Sequence, residues 1–122
     1  MDTLGTAHET IKDPVVRSAL RELDRKLRTR FADRYVGLIL FGSRARGDHQ
    51  PDSDADVAIV LRGHISNRWP LERQIIEDTY PILLETGLYI DSWPLEADEL
   101  ADPAKSSNPA LIRNVLTEGI PA

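Results

Sequence analysis

The sequence contains no cysteine, which excludes disulfides, thiolate catalysis and cysteine-bound zinc together. It has no apolar run as long as a membrane span, and Met1-Asp2-Thr3-Leu4-Gly5 forms no basic, apolar signal region. A cytoplasmic protein is therefore expected. Positive charge is in deficit, with 15 Lys and Arg against 20 Asp and Glu and a net charge of -5. That balance argues against a protein that coats nucleic acid or carries a strong independent nucleic-acid surface. No internal repeat or second domain is visible. The 122 residues read as one domain over 1–122, long enough for a core but short for an enzyme that must hold two substrates.

The chemistry is concentrated between Gly42 and Leu61. Val36-Gly37-Leu38-Ile39-Leu40-Phe41 reads as a buried strand, being short, β-rich and ended by a glycine. Gly42-Ser43-Arg44-Ala45-Arg46-Gly47 then forms a turn at the strand's carboxyl end, where ligands bind in open α/β sheets. If Ser43 to Arg46 form a short helix, its free N–H groups face an anion. Gly42 permits close approach, the Ser43 hydroxyl adds a donor, and Arg44 or Arg46 can fork onto phosphate oxygens. Asp54 and Asp56, two apart at the start of a second strand through Leu61, project to one side while Ala55 and Val57 face the other. Paired carboxylates repel unless a cation lies between them, and magnesium favours a few carboxylate oxygens together with substrate phosphates. A third acid, Asp91, lies in the β-like run Leu88 to Trp93, so three strands can converge on one acidic cluster.

The remaining chain reads as supporting helices. The first ten residues are expected to be a loop or a frayed turn. Asp13-Pro14 caps a helix whose apolar positions run Val15, Val16, Ala19, Leu20, Leu23, Leu27 and Phe31, with interleaved acids and arginines forming local ion pairs on its solvated face. A second helix carries Leu71, Ile75, Ile76, Leu83 and Leu84. Pro81 should kink or restart it near Tyr80, and Gly87 should stop it. Trp69 and Tyr80 read as partly buried packing residues in preference to a base-stacking pair, and His49 as a solvated loop residue. An acidic helical or turn segment follows Pro94, Pro103 to Ser107 reads as a mobile loop, and Asn108-Pro109 starts a last helix ended by Gly119.

Taken together, Gly42-Ser43, Arg46-Gly47, Ser53-Asp54-Ala55-Asp56-Val57 and the later Asp91 resemble the signature of the nucleotidyltransferase superfamily that includes DNA polymerase beta. The short chain and the ending Asn108 to Gly119 are similar to the minimal nucleotidyltransferases (MNT domains), many of them antitoxins of HEPN-domain RNase toxins. A lone glycine-serine pair is weak, and Asp-x-Asp is common in loops; the ordered combination is specific. The resemblance implies an α/β (α+β) nucleotidyltransferase fold, a small mixed sheet flanked by helices. It also implies ATP as substrate and two Mg2+ ions, with Asp54 and Asp56 bridging the metals and Asp91 binding the ion that activates the attacking hydroxyl, or acting as general base. Gly42 and Ser43 would hold the β- and γ-phosphates, and Arg46, helped by Arg44, would offset charge on the leaving pyrophosphate.

The implied activity is transfer of a nucleoside monophosphate, AMP from ATP, to a hydroxyl of a partner macromolecule, in the antitoxin branch a tyrosine of a HEPN toxin. Two other readings stand beside it: a module that neutralises its partner by contact, and a small-molecule nucleotidyltransferase acting on an aminoglycoside. Base specificity and oligomeric state are left open.

Overall fold

The structure, a computed structural model, describes residues 11–122; the loop or frayed turn expected over the first ten lies outside them. Helix α1 (Pro14–Phe31) precedes β1 (Tyr35–Phe41), the single turn α2 (Ser43–Arg46) and β2 (Ala55–Leu61). Helix α3 (Arg68–Thr86), β3 (Ile90–Glu96), α4 (Ala97–Ala101), α5 (Pro109–Glu118) and β4 (Ile120–Pro121) complete it. The four strands form one mixed sheet in the order β3-β2-β1-β4. β1 runs antiparallel to β2 and β4, and β2 runs parallel to β3.

Both faces of the sheet are covered. Leu20, Leu23 and Leu27 of α1 and Ile75 and Ile82 of α3 pack with Leu38, Leu40, Val57 and Ile59 on one side. Ile112 and Val115 of α5 pack with Ile39, Phe41, Ala58, Val60 and Leu95 on the other. The alternation of strand side chains between the two faces sorts these residues. α1 begins where expected: the Asp13 carboxylate accepts from the Val15 and Val16 N–H groups at 2.9 and 3.4 Å, with Pro14 in the first turn. Its exposed charges pair locally, Arg25 with Glu22 at 2.7 Å and Arg28 with Asp24 at 2.9 Å.

Several expectations need correction. α3 runs unbroken through Pro81, because Leu71, Ile75 and Ile82 seat it on the core on both sides of the proline, and packing outweighs one missing hydrogen bond. Gly87 does stop it, in the left-handed region with φ 76°. β3 starts and ends later than the apolar run Leu88 to Trp93 indicates, and contains Pro94; at the rim of a sheet a missing N–H is tolerated. The loop expected at Pro103 to Ser107 contains a 3-10 turn, Pro103–Lys105, where Asp102 accepts from the Ala104 N–H and the Ser106 hydroxyl donates to Glu99 at 2.6 Å. Trp69 and Tyr80 are 65% and 55% exposed, not packing residues, since the buried face of α3 is carried by Leu71, Ile75, Asp78 and Ile82.

Candidate active site

One rung of the sheet builds the site. Phe41 of β1 stands opposite Asp56 of β2, and Asp56 stands opposite Asp91 of β3. Because β1 runs against the other two strands, the turn that leaves its carboxyl end meets their starts. β2 is buried at every position from Ala55 to Leu61 except Asp56. The helical cover on that face therefore opens at the carboxylate.

Gly42 lies directly against this opening. Its backbone has φ 74°, and a side chain there would run into Asp56 Oδ2. Glycine is required on both counts: conformation and close approach. α2 follows as the expected short helix and closes through Gly47, left-handed at φ 87°. A turn that opens a helix beside two carboxylates juxtaposes N–H donors for an anion with ligands for a cation.

Asp56 and Asp91 stand side by side on neighbouring strands, and both carboxyls are raised above their ordinary value. Burial is the main cause for each. Asp91 is raised further by the charges of Asp56 and Asp54, and Asp56 by Asp54, against a hydrogen bond from Trp93 that favours its ionised form. Asp54 is exposed and precedes the strand, within electrostatic reach of the pair. Among the described residues, no group of three or more acidic or histidine side chains is arranged to hold a metal ion unaided. The donor set nonetheless suits magnesium, which binds through one or two carboxylates and takes its remaining ligands from water and substrate phosphates. A cation would also relieve the repulsion that raises both acids.

The two arginines differ. Arg46 is half exposed and its charge is felt at Asp56. Arg44 does not face the opening: its side chain is 7% exposed, and its guanidinium donates to the Ser53 and Pro51 carbonyls at 2.9 and 3.2 Å and lies 3.5 Å from Asp13. It braces the loop that delivers Asp54. Ser53, in the same loop, is tied to Gln50 by the Gln50 N–H donating to its hydroxyl at 2.9 Å. His49 is not simply solvated either; its buried Nδ1 lines a cavity beside Ile11, Val16 and Ile120.

Glu118 is the site residue that spacing along the chain missed. Its carboxylate accepts from the Gly42 N–H at 2.8 Å and from Arg46 Nη1 at 3.0 and 3.1 Å, while Arg46 Nε donates to Asp48 at 3.1 Å. The antiparallel pairing of β4 with Ile39 and Leu40 brings the end of α5 to the turn. The available signal was the end of the last helix, an acid just before Gly119, without any indication of where that helix packs.

Comparison with known proteins agrees with this geometry. Residues 20–120 match the model of the nucleotidyltransferase domain family. A Methanocaldococcus jannaschii protein, named as a proposed protein adenylyltransferase, is 35% identical over 101 residues, covering 83% of this chain and 91% of the relative. Similar solved structures include a toxin-antitoxin with AMP-PNP, at TM-score 0.52 and 22% identity over 81% of this chain and 68% of that one. A mutant of the toxin-antitoxin MntA-HpeT is similar at TM-score 0.52 and 20% identity, over 80% and 67%. At these identities the structural likeness concerns the fold.

Proposed function

Since this chain belongs to the nucleotidyltransferase domain family and is a nucleotidyltransferase, we propose that it transfers AMP from ATP, with magnesium, to a hydroxyl of a partner protein. The observation that carries this reading is the rung Phe41, Asp56, Asp91 with Gly42 pressed against Asp56. It sets the glycine-serine turn against a carboxylate pair. The protein relative named for adenylyl transfer supports AMP as the group and protein as the acceptor. The motif's resemblance to MNT antitoxins points to a HEPN-type toxin as that partner.

In this mechanism Asp54, Asp56 and Asp91 would hold magnesium, which would supply charge neutralisation at the reacting phosphates. Gly42 and Ser43 bind the β- and γ-phosphates. Arg46 offsets charge on the departing pyrophosphate, and Glu118 and Asp48 fix where it points. Asp91, on the edge strand β3, lies next to the acceptor hydroxyl and takes its proton. Arg44 acts on the site through the loop it holds.

The test incubates the full chain with labelled ATP, with and without magnesium and the protein encoded beside it, and an Asp56→Asn control. Magnesium-dependent label on the partner that the control does not produce is the expected result. ATP that binds but is never transferred, with neutralisation intact in Asp56→Asn, would replace transfer with inhibition by contact.

A further inference from the structure

On the side of α3 turned away from the core, large apolar residues stand exposed around Arg73. Trp69, Ile76 and Tyr80 follow one another at helical spacing and are 65%, 56% and 55% exposed; Tyr89, just before β3, is 51% exposed. These four residues line a groove of ≈ 250 Å³ between α3 and β3, and Asp91 lines it with them. Exposed aromatics gathered in one concave patch mark a contact surface in soluble proteins. β3 ends the sheet order, so among the described residues no strand covers its outer edge.

We propose that this groove docks the acceptor, and that the acceptor is a protein segment whose hydroxyl side chain lies at Asp91 while its apolar neighbours pack on Trp69, Ile76 and Tyr80. The proposal rests on the nucleotidyl-transfer reading and adds where the second substrate binds. Charge selects protein over nucleic acid. None of the described residues lining the groove is Lys, Arg or His, its ionisable members include Glu72 and Asp91, and the whole chain carries -5. A polyanion meets the acids of the lining with only Arg68 and Arg73 beside it, whereas an apolar segment flanked by basic residues is complementary to those acids. Continuity with the reaction centre selects the acceptor over an unrelated ligand, since one lining residue is Asp91, the residue assigned to the attacking hydroxyl. In the transfer, a bond forms between that hydroxyl oxygen and the α-phosphorus, the bond from the α-phosphorus to the bridging oxygen breaks, pyrophosphate leaves, and the hydroxyl proton passes to Asp91.

The experiment uses the full chain with magnesium and labelled ATP. Its probes are a panel of short peptides, each with one central tyrosine, serine or threonine among randomised apolar and basic residues, and a single-stranded RNA of random sequence. The expected result is label on hydroxyl peptides with apolar flanks. A Trp69→Ser/Tyr80→Ser variant and, separately, Ile76→Arg should raise the KM for those peptides about tenfold or more, the usual cost of losing an interface anchor, with kcat and magnesium-ATP affinity unchanged. An unchanged peptide KM would overturn the assignment. So would labelling of RNA in place of peptide, weakened ATP binding in the variants, or a wild-type dimer that the variants dissociate. Wild-type protein that binds magnesium-ATP yet labels no peptide removes the docking inference alone. If it binds no magnesium-ATP, the transfer reading fails and takes this inference with it.

Discussion

Asp56 and Asp91 hold their protons more tightly in the folded chain than in the unfolded one, first because both are partly buried and then because of neighbouring acids. Acids with raised native values contribute stability that is fully present below their unfolded value, about 3.9, and is lost as the pH rises through the native value. At neutral pH without metal the pair is therefore a strain on the fold. Asp91→Asn should raise the melting temperature of the metal-free protein by about 3 °C, roughly what 1 kcal/mol is worth in a chain of this size, while abolishing transfer. Magnesium should stabilise the wild type and not the variant, as melts in EDTA and in magnesium would show. Glu118 is a second single-residue case. Glu118→Gln keeps an acceptor for the Gly42 N–H but removes the charge that holds Arg46. ATP affinity, measured by calorimetry, should fall about tenfold, the worth of one charge-assisted hydrogen bond; tighter binding would mean that the carboxylate competes with phosphate instead of placing Arg46.

Among the elements, the loop from Gly47 to Asp54 depends on α2. Arg44 reaches two of its carbonyls from a nearly buried position, so Arg44→Ala should loosen the approach to Asp54. A loss of roughly 1–3 kcal/mol in stability and about tenfold or more in transfer rate is expected from melts and initial rates. Arg44→Lys should not rescue it, because an ammonium cannot reproduce the guanidinium fork. The glycine-serine turn, both caps of α1 and α5, and the carboxylates at the starts of strands were all legible along the chain. Each depends on contacts a few residues apart. The span of β3, the continuity of α3 through Pro81 and the turn at Pro103 were not, since neighbours far away in sequence decide them.

In the whole molecule, α1 and α3 are joined by a bidentate pair: Arg30 donates to Asp78 at 2.8 and 3.0 Å. Asp78 is buried at 8% exposure. Asp78→Ala should cost about 2 kcal/mol in urea unfolding, below the value for a fully buried pair because Arg30 keeps some contact with water. The apolar outer side of α3 should survive this change, so peptide transfer by the folded fraction should not alter.

Order and spacing along the chain were enough for the family resemblance, the placing of Asp56 and Asp91 on strands and the layered helices, because strand alternation, helix period and caps are short-range rules that residues obey wherever the element ends up. Folding alone decided which way long side chains turned. Arg44 went inward to carbonyls instead of outward to phosphate because the loop from Gly47 to Asp54 folds back and leaves the Ser53 and Pro51 acceptors in its reach. Glu118 came to Gly42 because β4 pairs with β1 across most of the chain's length. Trp69 and Tyr80 stayed outside because Leu71, Ile75, Asp78 and Ile82 had already filled the one face of α3 that the sheet could cover.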